Sequence, residues 1–138
     1  MSEKRTVKID KVLVVDDDPQ VAAVVGEILS IAGYRAKKVH SGESAVRTAL
    51  DDPPGLILLD VLMPEMDGYL AAERFREHPE LREIPIIYLT ACNPIFEGLT
   101  APVIGIPVAV RKPFSVSELL GAVNAVFAQS ARLSAAVK

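Results

Sequence analysis

The spacing of apolar and polar positions predicts strands at 11–15, 35–39, 56–60, 86–89 and 107–111. The clearest is Leu56-Ile57-Leu58-Leu59, an unbroken apolar run that reads as a strand buried on both faces. Between the strands the period changes to that of a helix. Pro19 opens the first one after Asp18 as N-cap, and Val21, Val24, Val25, Ile28, Leu29 and Ala32 make its buried stripe, with Gly33 as the stop. Ser41 caps a second helix that runs to about Leu50 and turns Ala45, Val46, Ala49 and Leu50 inward. A third spans about 69–77, with Tyr69, Ala72 and Phe75 on one side. Ser115 and Glu118 form a capping box for the last helix, with Phe114 and Leu119 as its hydrophobic staple. That helix buries Leu119, Leu120, Val123 and Phe127 and fades after Gln129. Residues 93–106 give no clean pattern, because Gly98, Pro102 and Gly105 keep any helix there short.

Strands alternating with helices imply an α/β fold, a doubly wound parallel sheet with helices on both faces and right-handed crossovers. A chain of 138 residues, half of them apolar and 24% charged, has the composition of one globular domain. The expected organisation is a domain over 10–130, a flexible polar extension over 1–9, and a tail of the last helix over 131–138. The net charge of −3 is too mild to argue for nucleic acid or an anionic membrane surface. One cysteine, Cys92, rules out an intrachain disulfide. No leader-like h-region and no membrane-spanning run are visible, so a soluble cytoplasmic protein is expected.

The chemistry gathers at strand ends. Asp16 and Asp17 follow the first strand, Asp60 ends the third, Thr90 the fourth and Lys112 the fifth. In open α/β sheets that edge is where ligands bind. Three carboxylates brought together repel one another, and a hard divalent cation with oxygen ligands, Mg²⁺, resolves the conflict. A lysine ammonium and a threonine hydroxyl suit anionic oxygens. Together with a carboxylate nucleophile these are the parts of phosphoryl transfer.

The set Val14-Val15-Asp16-Asp17, Leu59-Asp60-Val61-Leu62-Met63-Pro64-Glu65-Met66-Asp67-Gly68, Leu89-Thr90-Ala91 and Lys112-Pro113-Phe114 resembles the receiver domain of two-component response regulators. The likeness covers about 10–130, in order and at matching spacings. It implies a flavodoxin-like sheet of strand order 2-1-3-4-5. It further implies that Asp60 accepts a phosphoryl group from a histidine kinase or phosphotransfer protein. By the same likeness Mg²⁺ is held by Asp16 (partly through water), Asp17, Asp60 and the backbone carbonyl of Leu62, while Thr90 and Lys112 contact the phosphoryl oxygens. Such a module is a signalling switch rather than an enzyme acting on an external metabolite.

Other residues read more plainly. Asp18 is a cap, Asp67 shapes a turn, Cys92 is an apolar filler, and His40 and His78 are surface residues. Two departures from the family stand out. The position of its aromatic switch holds Ala109, and the two positions that set the lifetime of the phosphoryl group hold Leu62 and Cys92. Neither side chain orients a water well, which predicts slow self-dephosphorylation. Residues 94–107 are apolar with Glu97 as their one charge, so residues 94–111 are the expected contact surface for a second copy or a downstream target. The residues also admit two rival readings: a haloacid-dehalogenase-type phosphohydrolase using Asp16-x-Asp18, and a receiver-like scaffold that is never phosphorylated.

Overall fold

The computed structural model describes residues 10–60, 68–90, 109–111 and 114–137; at 68, 69, 90, 109, 111 and 129–137 the backbone alone is described. The elements are β1 (Lys11–Val15), α1 (Pro19–Ile31), β2 (Arg35–Val39), α2 (Gly42–Asp51), β3 (Leu56–Asp60), α3 (Gly68–Arg76), β4 (Ile86–Thr90), β5 (Ala109–Arg111) and α4 (Val116–Val137). The strands form one parallel sheet in the order β2-β1-β3-β4-β5. This is the order that the family resemblance implied.

The period-two alternation of each strand feeds two cores. Val12 and Val14 of β1, Leu56 and Leu58 of β3, and Ile87 and Leu89 of β4 pack with α1 and α4. Leu13, Val15, Ile57, Leu59 and Tyr88 face the other way, against α2 and α3. Every residue of β3 is buried, as expected of a central strand covered on both faces. Complete burial of a leucine or isoleucine there contributes about 1.5–3 kcal/mol each.

The helix ends follow their local chemistry. Asp18 accepts from the Gln20 amide at 3.0 Å, and the Ser41 hydroxyl from the Ser44 amide at 3.1 Å. Gly33, at φ 101°, closes α1. The amide of Tyr34 reaches back to Leu29 O at 2.9 Å and that of Gly33 to Ser30 O at 3.0 Å, the paired bonds of a left-handed helix stop. Ser115 and Glu118 exchange hydrogen bonds of 3.0 and 2.9 Å, which completes the capping box.

Three expectations need correction. The buried face of α1 is Ala22, Val25, Gly26 and Leu29, whereas Val24 is 59% exposed and Ala32 is exposed. Small residues form the contact that the apolar pattern overlooked. At Gly26 the stem of Lys38 lies so close that an added Cβ would meet its Cδ at 3.1 Å. On α2 the inward set is Gly42, Ala45, Val46 and Ala49, and Leu50, one residue past it on the helix, is 37% exposed. Finally, α4 does not fade at Gln129 but continues to Val137. Ala131, Ala135 and Ala136 have high helix propensity. The N-terminal stretch 1–9 and residues 94–107 lie outside the described residues.

Candidate functional site

Parallel register delivers the acidic residues to one place. Val15 of β1 lies beside Leu59 of β3, so the next residues, Asp16 just past β1 and Asp60 at the end of β3, come to the same edge of the sheet. Asp17 follows Asp16 in the connection to α1. One carboxylate oxygen from each of the three lies within 4.8 Å of the others. Asp16 is 1% exposed and Asp60 6%, while Asp17 is half-buried.

Asp16 is tied from several directions. Its amide donates to Val39 O at 3.1 Å, and its Oδ1 accepts from the Asp18 amide at 3.0 Å. Its carbonyl lies 3.0 Å from Nδ1 of His40. Asp18 stands apart from the cluster, since its carboxylate caps α1.

Two like charges at this separation repel by about 1 kcal/mol in water and several times that at a partly buried site. Hard oxygen donors suit Mg²⁺, which takes its ligands at about 2.1 Å, so opposite oxygens stand about 4.2 Å apart. Three carboxylate oxygens within 4.8 Å of one another are close enough to share one cation. The carboxylates of Asp16, Asp17 and Asp60 therefore fit the cation in donor chemistry and in spacing.

Of the other predicted site residues, Thr90 ends β4. Asp60 is level with Leu89 of that strand, so Thr90 follows one residue beyond, beside Arg111 of β5. Lys112, the residue after β5, lies outside the described residues, as do Leu62 and Cys92. Ala109 opens β5 opposite Tyr88. Among the described residues, a groove of about 630 Å³ lies elsewhere, lined by Lys11, Lys37, Arg47, Thr48, Leu50, Asp51 and Asp52. It contains none of the residues predicted for the site.

The contact that sequence reasoning missed is His40. It is exposed, as expected, but it bonds the backbone of an acidic residue. Register makes the contact: Val15 and Val39 are partners, so Asp16 and His40 follow neighbouring strand ends.

Comparison with known proteins places this arrangement. The family model for the response regulator receiver domain matches residues 12–124. The DNA-binding dual master transcriptional regulator RpaA of Synechocystis sp. is 31% identical over 128 residues, 93% of this chain and 53% of its own length. The probable transcriptional regulator ycf27 of Cyanophora paradoxa is 37% identical over 109 residues, 79% of this chain and 44% of its own. The chain thus spans about half the length of the curated relatives it matches. Among solved structures, the chemotaxis protein CheY4 of Vibrio cholerae superposes with a TM-score of 0.75 at 28% identity, covering 88% of this chain and 99% of that one. The receiver domain of the sensor histidine kinase PA1611 from Pseudomonas aeruginosa PAO1 has a TM-score of 0.72 at 30% identity, covering 86% of this chain and 98% of that one. That structure holds a magnesium ion coordinated in its active site cleft.

Proposed function

Because this chain belongs to the response regulator receiver domain family, we propose that Asp60 accepts a phosphoryl group from a histidine kinase or phosphotransfer protein in a Mg²⁺-dependent step. The single observation that carries this reading is the convergence of Asp16, Asp17 and Asp60 at the end of the central strand. In the transfer, a carboxylate oxygen of Asp60 forms a bond to phosphorus as the donor's phosphorus–nitrogen bond breaks. The roles proposed for the other residues follow the family resemblance. Asp16, Asp17 and Asp60, with the backbone carbonyl of Leu62, hold the cation, and Thr90 and Lys112 contact the phosphoryl oxygens. When bound, Mg²⁺ neutralises charge on the carboxylates and the incoming group. Asp60 sits at a fixed, largely dehydrated strand end, so little reorganisation is asked of it.

The working unit proposed is 10–130, acting in the cytoplasm as a signalling module without an external metabolite. Its output contacts are assigned to residues 94–111, for a second copy or a downstream target. The curated relatives include DNA-binding regulators; for this chain, spanning about half of them, no direct nucleic-acid contact is proposed. Asp16-x-Asp18 does not serve the rival phosphohydrolase reading, because the Asp18 carboxylate is committed to capping α1.

The test is intact mass after incubation with Mg²⁺ and a small acyl phosphate. One phosphoryl group should add, and Asp60→Asn should abolish the gain. An undiminished gain in Asp60→Asn refutes the assignment, and no gain in the parent chain with Mg²⁺ present favours the scaffold reading. We further propose slow self-dephosphorylation, since Leu62 and Cys92 do not hold an attacking water. Decay followed after adding excess EDTA should be slower in the parent chain than in a Leu62→Asn, Cys92→Glu variant; equal rates defeat this part.

A further inference from the structure

We infer that His40 is a positioning residue for the acidic site, holding Asp16 in place through its backbone carbonyl. The inference rests on the proposed Mg²⁺-binding role of that site. A carbonyl only accepts, so in the 3.0 Å contact the His40 Nδ1 carries the proton and donates it to Asp16 O. The amide of the same residue donates to Val39 O at 3.1 Å. Both backbone polar groups of Asp16 are thereby fastened to the end of β2, a strand that carries none of the carboxylates.

That anchorage has a purpose. Asp16 has two other carboxylates within 4.8 Å, so where the connection between β1 and α1 is held sets the spacing of the site. The bonds continue past Asp16. Its Oδ1 takes the Asp18 amide at 3.0 Å, and the Asp18 carboxylate takes the Gln20 amide at 3.0 Å. A series of hydrogen bonds therefore runs from His40 through the acidic turn to the start of α1. His40 itself is exposed and belongs to neither core cluster, so packing does not explain the contact. Residues that orient ligands without touching the ion are known to tune metal affinity.

The test uses the 138-residue chain with His40, with His40→Ala and with His40→Asn, whose side-chain amide nitrogen occupies the place of Nδ1 and donates likewise. Mg²⁺ affinity is measured by titration calorimetry, and hydrogen exchange at the Asp16 and Asp18 amides is followed without metal. The Leu58 amide serves as the reference for global opening. Loss of one net hydrogen bond predicts about fivefold weaker Mg²⁺ binding and about fivefold faster exchange at both amides in His40→Ala. His40→Asn should restore both to within about twofold. If His40→Ala exchanges like the parent at Asp16 and Asp18, or if His40→Asn is no better than His40→Ala, the inference is overturned. Should the parent chain bind no Mg²⁺, the metal reading fails, while the exchange comparison still decides the anchorage.

Discussion

At the N-terminal edge of the sheet Arg35 grips Asp10 through two hydrogen bonds of 3.2 Å, and Lys11 pairs with Asp52. At the C-terminal edge Asp16, Asp17 and Asp60 stand together with like charge. The contrast extends to burial. The Arg35 and Asp10 side chains are 64% and 48% exposed, whereas Asp16 and Asp60 are almost wholly buried. One edge disposes its charges as stability and solubility favour. The other gathers three carboxylates where two of them are buried, an arrangement that marks a candidate functional site. The same strands supply both edges, so the difference lies in which residues flank them and not in the scaffold.

The sharpest way to probe this contrast is to supply the cation. Mg²⁺ at a hundredfold above its dissociation constant should stabilise the chain by about 2.7 kcal/mol. Denaturant unfolding with and without metal measures it. Asp17→Asn should abolish most of that increment, while Asp52→Asn at the opposite edge should leave it intact. Equal loss in both variants would erase the distinction between the edges.

A smaller effect is expected without metal. In EDTA, Asp17→Asn should unfold later than the parent by about 1 kcal/mol, because one of three mutually repelling charges is gone. A lower midpoint would mean that Asp17 is stabilising where it stands. Smaller again is the response at the N-terminal edge. Arg35→Ala should cost about 0.2–1 kcal/mol at low salt, and the difference should shrink at 1 M salt. A salt-independent loss would point to packing by the arginine stem.

The smallest prediction concerns Tyr34, which joins the end of α1 to α4. Its ring stacks on Phe127 with centroids 5.2 Å apart, and its hydroxyl bonds Asn124. Burial raises its pKa above the ordinary 10.0, because the charged phenolate is harder to desolvate. The folded state thus keeps the proton longer than the unfolded chain does. The associated stability is present below pH 10 and is lost as pH rises from there through the folded value. Unfolding measured from pH 9 to 11 should fall less steeply in Tyr34→Phe than in the parent. Parallel pH profiles would count against it.

Much of the molecule was legible in the residues themselves. Strand periodicity, the caps at Asp18, Ser41 and Ser115, and the stop at Gly33 are local signals, carried by a few neighbouring residues and little altered by what packs around them. The acidic cluster was legible for a related reason: each carboxylate sits at a strand end or within two residues of it, and parallel strands deliver their ends to one edge. Tertiary structure decided what depends on distances across the chain. It set the face that α1 buries, because Ala22 and Gly26 pack by being small and leave no hydrophobic mark, while Val24 turns to solvent. It also joined His40 to Asp16, 24 residues apart, since a hydrogen bond between two loops exists only once the register of β1 against β2 has formed.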